Sequence, residues 1–386
     1  MNLDLSEEQK LIQDTARDFA RDRLEPVAAE LDDGGDRSIM LDNLKLLAEL
    51  GFMGLNVSHE YGGADAGAVA FSLAITELAR ACASTAVTVS VNNMVCEVIQ
   101  SVGSNEQKTC YITKICSGEY AAGSFALTEP GAGSDPSSMV TRAEASGGGF
   151  VLNGSKIYIT SAPYAGVFVV WAVTDPTAPK GKGISCFLIE AGTPGLIIGK
   201  EERKMGQHAS ATNEVIFQDC RIPESALMGK LNDGFRIAVV ELAGGRIGIG
   251  SLGLGIGLAA IDRATAYAVE RVQFGQKISS FQAIQWMIAD ANTRLEAARL
   301  LLMNAAFRKE NGRSFAKEAA MAKMFATEAA NDACYQALQM FGGYGYTKDF
   351  PIERYARDAR ITSIYEGTNE IQRLIISREI LKNYSA

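Results

Sequence analysis

Apolar positions recur in two different rhythms along this chain, and the change of rhythm marks its organisation. In the first hundred residues the spacing is helical. Leu11, Ile12, Ala16, Phe19 and Ala20 fall on one face, and Ser6 with Gln9 has the spacing of a capping box. Further helices are predicted over about 40–50, 68–82 and 86–102, with "EYGGADAG" and "GSNEQ" as turns. Near residue 121 the rhythm becomes that of strands. "GFVLNGSKIYIT" reads as two short strands around an Asn153-Gly154 hairpin turn. "VFVVWAVT" reads as a buried strand, and "ISCFLIEA", "LIIG" and "TNEVIFQDCRI" carry the β pattern to about residue 222, with Pro223 and Gly229 marking the exit. From about 232 the helical rhythm returns in long segments, including an alanine-rich run stopped by Gly342-Gly343. Helices, strands, then helices again argue against an alternating parallel α/β fold. The predicted fold class is α+β and multidomain: an N-terminal helical domain (1–120), a middle β domain (121–230) and a C-terminal helical domain (231–386).

Composition narrows the function. The chain has 386 residues, 47% of them hydrophobic and 21% charged, the mix of a protein with a large core. A net charge of −8 argues against binding a phosphate backbone, so no nucleic-acid partner is expected. "MNLDLSEEQK" carries acids early and has no apolar run, so no signal peptide is read. The longest apolar candidate, 247–260, is rich in glycine and falls short of membrane-spanning length. A cytoplasmic protein is expected, or one of the mitochondrial matrix if a transit peptide has been removed. The seven cysteines (82, 96, 110, 116, 186, 220 and 334) form no Cys-x-x-Cys pair and read as buried thiols rather than disulfides or zinc ligands. With only two histidines, His59 and His208, no metal is expected, and acid–base work falls to a carboxylate or a cofactor.

"GIGSLG" (Gly248, Gly250, Gly253) matches the dinucleotide-binding G-x-G-x-x-G, but no strand precedes it and the glycines run on into a helical segment. Small residues that let helices approach closely are the better reading. Three other clusters sit at domain junctions. In "FALTEPGAGSD" (125–135), Pro130, Gly131 and Gly133 fix a tight turn whose free N–H groups suit an anion or a heteroaromatic edge; alone, it reads better as an ordinary connector. In "KIYITSAP" (156–163), Tyr158 and Thr160 lie two apart and so share a strand face, able to stack on and hydrogen-bond a flat ring. In "SIYEGTNEIQ", Glu366 follows apolar neighbours and precedes glycine. Buried there, it would have a raised pKa and serve as a base near neutral pH. A capping role suits Glu370 better, at the start of the last helix.

Together, "ALTEPGAGSD", "KIYITSA", "GGRIGIG", "ERVQFGQKISSFQAIQ", "QMFGGYGY" and "DARITSIYEGTNEIQ" resemble the acyl-CoA dehydrogenase family, in family order over nearly the whole chain. The resemblance implies that the middle domain is a β-barrel or sandwich and the C-terminal domain a four-helix bundle, with FAD bound without a Rossmann motif, between domains and subunits of a homotetramer built as a dimer of dimers. It implies a flavin bed from Phe125, Leu127, Thr128, Gly133, Ser134, Tyr158, Ile159 and Thr160, with Thr128 at the pyrimidine end and Thr160 at N5. Arg271, Phe274, Gln282, Gln339, Gly342 and Gly343 would hold the pyrophosphate and adenosine, partly across a subunit interface. Thr368, Asn369 and Glu370 would complete the cofactor site. Ser134, Gly245, Arg246 and Gly367 would contact the acyl-CoA substrate, Arg246 at its CoA part. Glu366 matches the family's commonest base. Some members place the base at the position of Gly245, which here has no side chain to serve. The Glu366 N–H and an FAD ribitol hydroxyl would bind the thioester oxygen, and an electron-transfer flavoprotein would take the electrons.

Three positions depart from the family pattern. Tyr158 stands where tryptophan is usual, Ser161 where asparagine is common, and Ala243 where short-chain members carry an acid. "RACASTAVTVSVNNM" (80–94) is similar to the butyryl-type members and has no basic residue after Arg80 to pair with a dicarboxylyl substrate. A short linear acyl-CoA is expected. A branched, aryl or dicarboxylyl acyl-CoA is the alternative, with an acyl-CoA oxidase or a non-catalytic acyl-CoA-binding oligomer behind it.

Overall fold

The computed structural model describes residues 4–382 and 384; the first three residues of the opening stretch "MNLDLSEEQK" lie outside them. Helices come first: α1 (Glu7–Phe19), α2 (Ser38–Glu49), α3 (Gly67–Ala81) and α4 (Ala83–Val102). Ser6 and Gln9 form the capping box in full, side chain to backbone in both directions.

Strands β1 (Ala122–Ala126), β2 (Arg142–Ser146), β3 (Gly149–Thr160), β4 (Ala165–Val173), β5 (Ile184–Glu190), β6 (Leu196–Glu201), β7 (Thr212–Pro223) and β8 (Leu227–Met228) follow. They join in the order β6-β7-β3-β2-β4-β5-β8, with β1 parallel beside β4. Only Arg142 opposite Val173 links β2 to β4, so the sheet is two halves hinged there. The halves enclose one core, with Leu152, Val215 and Phe217 on one side and Phe168, Val170 and Phe187 on the other. The alternate residues of β4 and β5 (Val167, Val169, Trp171, Cys186, Leu188) point instead into the helical core. A strand buried on both faces explains why "VFVVWAV" shows no polar alternation.

Two expectations about this region need correction. Asn153-Gly154 is not a hairpin turn. β3 is continuous through it, and the turn lies upstream at Gly147 and Gly148 (φ 58° and 83°), the two positive φ values a tight hairpin wants. Gly154 instead marks a bulge against β7, where a Cβ would stand 2.6 Å from the Thr141 hydroxyl. Tyr158 and Thr160 do not simply share a face either. Tyr158 has φ 61° and the register slips between Lys156 and Ile159, which resets the alternation.

The C-terminal third is built on α5 (Gly234–Glu270), α6 (Gln282–Glu310) and α7 (Ala316–Phe341), which pack on one another, with α8 (Ile352–Arg360) and α9 (Asn369–Leu381) against α7. "GIGSLG" lies wholly inside α5. There a Cβ on Gly248 would meet the Ser90 hydroxyl at 2.2 Å, and one on Gly250 would meet Leu302 at 2.6 Å. The glycines serve close packing. By length and composition α5 could cross a membrane, contrary to the reading of its apolar run as too short, but 78% of its most apolar stretch is buried in the protein. It also packs on α3 and α4, so both sets of helices share one core.

Candidate active site

Glu366 sits where two helices meet with a sharp reversal. After α8 the chain makes one tight turn, then Glu366 and Gly367 take φ of 55° and 86°, and Thr368 caps α9 by accepting the Ile371 N–H at 3.4 Å. Left-handed backbone is natural for Gly367 but costs a glutamate about 1–3 kcal/mol, so surrounding contacts must impose it. They are present. Gln372 Nε2 donates to the carbonyls of Glu366 (3.2 Å) and Gly367 (2.7 Å). The Lys323 ammonium donates to the Gly367 carbonyl (2.9 Å) and to Asn369 Oδ1 (3.0 Å). Among the described residues, the Glu366 N–H has no partner.

The Glu366 side chain lies against Gly245, where a Cβ would stand 2.9 Å from Oε2 and 2.8 Å from Met94 Sδ. Oε2 is sealed from solvent without a hydrogen-bond partner, although the residue as a whole keeps some exposure. Burial pushes its carboxyl up to about 7, against the opposing pull of Arg246 and Lys323. Arg246 is 6% exposed, its Nε is unpartnered, and burial lowers its pKa. Lys323 is fully buried and brought down to about 7 by desolvation, partly offset by Glu366. A carboxylate, a guanidinium and a free backbone N–H thus converge on one cleft with unspent hydrogen-bonding capacity. Such groups imply a polar ligand that completes them. Glu370, by contrast, is exposed in the first turn of α9 and its carboxyl is held below the usual range.

The 125–135 segment is organised by a buried ion pair that sequence reading passed over. Lys156 Nζ donates to Glu129 Oε1 (2.7 Å) and to the Leu127 carbonyl (3.1 Å). The Glu129 carboxylate also accepts the N–H groups of Val140 (2.6 Å) and Thr141 (3.0 Å). Above this anchor, Gly131 and Gly133 face open space and Ser134 is exposed. Thr128 is half-buried, and its carbonyl accepts the Ile157 N–H at 2.9 Å. Leu127 and Ile159 are 6% and 1% exposed, so only their backbones can face a ligand, and Tyr158 is 62% exposed. Thr160 closes β3 with its carbonyl bound by the Ser124 hydroxyl at 2.7 Å. Ser161 follows at φ 66°, a conformation that suits asparagine. Its N–H reaches Ala211 O at 2.8 Å, and four residues earlier Gln207 Nε2 reaches the Tyr365 hydroxyl at 3.2 Å. This strap ties the Thr160 cluster to the Glu366 cluster.

The third group stands apart. Val272–Gln273 and Gln276–Lys277 form a small hairpin with Phe274 at its tip, φ 53° and 93% exposed. The Arg271 guanidinium lies 5.7 Å from the Tyr344 ring centre, which brings the hairpin beside Gln339, Gly342 and Gly343. Among the described residues no hydrogen bond or ion pair joins this group, or Gln282, to Thr128 or Glu366. Asn369 is 4% exposed and commits its side chain to Lys323 and Thr327, away from any ligand. Of the residues that hold Glu366, sequence reading missed Lys323, Gln372 and Met94. Lys323 left a signal: it is the one cation on a stripe of buried alanines, Ala319, Ala322, Ala326 and Ala330.

Comparison with known proteins decides the lineage. Acyl-CoA dehydrogenase family models match in all three parts: the N-terminal domain at residues 6–119, the middle domain at 124–220 and the C-terminal domain at 232–381. The chain belongs to the acyl-CoA dehydrogenase family. It is 43% identical to the short-chain specific acyl-CoA dehydrogenase of Clostridium acetobutylicum, over 99% of this chain and 100% of that protein. The butyryl-CoA dehydrogenase of Megasphaera elsdenii superimposes with a TM-score of 0.95 at 38% identity, covering 99% of this chain and 100% of the other. A chain from a structural study of the electron-transferring flavoprotein of Acidaminococcus fermentans superimposes at 0.96 with 44% identity, covering 99% and 100%. The protein is therefore an acyl-CoA dehydrogenase. Family members are FAD-dependent, and solved relatives hold FAD. The residues here fit that cofactor. Cβ atoms on Gly131, Gly133, Gly342 and Gly343 would meet nothing within 4 Å, leaving bare backbone for a large ligand, and Phe274 offers an uncovered ring.

Proposed function

We propose that the chain catalyses α,β-dehydrogenation of a short acyl-CoA thioester to the trans-2-enoyl-CoA, with Glu366 as base. The observation that carries this reading is the Glu366 carboxylate, desolvated, unpartnered at Oε2 and set beside a free backbone N–H. Glu366 takes the α-proton of the thioester. Its own N–H donates to the thioester oxygen as negative charge builds there, the usual logic of an oxyanion site. Arg246 carries the polar part of the CoA chain. Thr128, Ser134 and Thr160 line the flavin side, and Phe274 with Arg271 serves a neighbouring subunit of a homotetramer. FAD held there would supply the acceptor for the hydride leaving the β-carbon, with an electron-transfer flavoprotein as the onward electron acceptor.

A short acyl chain is favoured by the crowded wall. Every residue of α4 from Ala83 to Cys96 is buried, Met94 touches the catalytic pocket, and Arg80 is turned away onto Asp262 at 2.5 Å. The test is a screen of acyl-CoA esters for bleaching of the FAD holoenzyme, run on wild type and Glu366→Gln. Wild type bleaches fastest with butyryl-CoA, and Glu366→Gln binds the ester without bleaching. Near-normal bleaching by the variant would overturn the base assignment. Rapid peroxide release from the reduced enzyme in air would favour an oxidase.

A further inference from the structure

The free N–H and the aimed carboxylate of Glu366 both depend on a turn that its own residues do not favour. Glu366 and Gly367 are consecutive left-handed residues, and relaxation of either would swing the carboxylate off Gly245. Each carbonyl of the turn is held by a buried side chain from a helix. Gln372, fully buried on α9, reaches both carbonyls, and Lys323, fully buried on α7, reaches the Gly367 carbonyl. Lys323 is held in turn by Asn369 Oδ1, which Thr327 also contacts at 3.3 Å. A neutral residue could make the same hydrogen bonds, so a fully buried ammonium at this place asks for an electrostatic reason.

We propose that Lys323 and Gln372 form a positioning clamp for the base, and that Lys323 adds to Arg246 a buried positive charge that helps Glu366 ionise in its desolvated site. The inference rests on Glu366 being the base. Gln372 fixes geometry alone; Lys323 fixes geometry and charge. The charged groups acting on Lys323 are Glu366 from the loop, Arg246 from α5, Glu370 from α9 and Glu328 from its own helix. Glu370 and Glu328 line a solvent-open cavity of about 520 Å³ with Arg294 and Arg360, so water and those guanidiniums screen them. Arg246 is the larger of the two cations acting on Glu366 and Lys323 the smaller, so removing Lys323 weakens that support without abolishing it. A coupled Glu366–Lys323 titration follows, in which the proton leaving the carboxylate and the proton held by the ammonium are not independent.

The two members are separable by substitution. Lys323→Gln keeps a donor for the Gly367 carbonyl and removes the charge. Gln372→Leu keeps the charge and removes a hydrogen-bonding hand. Each is prepared as FAD holoenzyme, and flavin bleaching by butyryl-CoA is followed in single turnover across pH, beside butyryl-CoA affinity and thermal midpoint. Lys323→Gln is expected to slow bleaching at least tenfold at neutral pH and to move the acid limb of the rate to higher pH, with ester affinity within a few-fold of wild type. Gln372→Leu is expected to slow bleaching by a similar factor with the limb unmoved. Wild-type rates in either variant, or a limb that stays in place in Lys323→Gln, would overturn the proposal. If Lys323→Gln does not assemble with FAD, Gln372→Leu still decides the clamp, and Lys323→Arg, which restores the charge, decides the electrostatic part by keeping or losing the wild-type limb. Bleaching by Glu366→Gln would instead sink the base assignment itself, a result distinct from either.

Discussion

Gly245 and Glu366 are a matched pair: the absence of a side chain on one makes room for the carboxylate of the other. A methyl group on Gly245 would stand 2.9 Å from Oε2, inside van der Waals contact, with Met94 Sδ closing the other side at 2.8 Å. Gly245 is helical in α5, so alanine there favours the helix by about 1 kcal/mol. Gly245→Ala is therefore expected to displace the proposed base while keeping the fold. Single-turnover bleaching by butyryl-CoA should fall ten- to a hundredfold, with the thermal midpoint close to wild type. Unchanged bleaching would mean that the carboxylate works from another position.

The pH dependence follows from the same burial. As the proposed base, Glu366 would have to be ionised to take a proton, and desolvation holds it protonated up to about 7. Its folded pKa lies above the ordinary carboxylate value, so activity is lost as pH falls through about 7 rather than through the usual acid range. The kcat/KM profile with butyryl-CoA should show that acid limb. A flat profile down to the ordinary carboxylate range would contradict the desolvated base.

Most of the fold was legible because its signals are local. Ser6 with Gln9, the double-faced strand Ala165–Val173 and the alanine run of α7 each state their structure in their own residues. The hairpin was misplaced because Asn153-Gly154 and Gly147-Gly148 carry similar turn chemistry, and only pairing with β7 decides between them. The buried placement of Glu366 was legible because a carboxylate before glycine at the end of an apolar run is unusual in itself. Its supports were not, because Lys323 and Gln372 act across 44 and 6 residues of chain through carbonyls that any sequence would offer. Glu129 was quoted within its motif, but its partner Lys156 lies 27 residues on, and nothing local pairs them.

That Glu129–Lys156 pair should matter more to the fold than any surface ion pair. Both side chains are almost fully buried, at 2% and 0% exposure. Burial draws the Lys156 ammonium down to about 8, while the Glu129 carboxyl is held below its ordinary value. Removing one partner strands the other, at a cost of about 3–5 kcal/mol. Lys156→Met should lower the denaturant midpoint and loosen FAD together, since Lys156 also ties down the Leu127 carbonyl. Because the lysine's folded pKa lies below its unfolded value, the unfolded chain binds more protons between about 8 and the ordinary lysine range. Wild-type stability should therefore rise with pH across that window, and Lys156→Met should lose the rise. A variant with wild-type stability and FAD retention would show the pair to be dispensable.

Phe274 separates the protomer's needs from those of the proposed assembly. Its ring is 93% exposed and stands edge-on to Phe281, with ring centres 6.2 Å apart, so it adds little to the fold of a single chain. Its backbone is nevertheless left-handed at φ 53°, a conformation a bulky residue adopts only under constraint. A large exposed aromatic at a hairpin tip, beside Arg271 and the open backbone of Gly342 and Gly343, is best accounted for by a partner surface or cofactor that covers it. Phe274→Ser should thus leave the thermal midpoint of the FAD-free protein unchanged, weaken FAD retention on gel filtration by tenfold or more, and shift the elution towards smaller species. A variant that elutes and holds FAD as wild type does would place the ring outside both the subunit interface and the cofactor site.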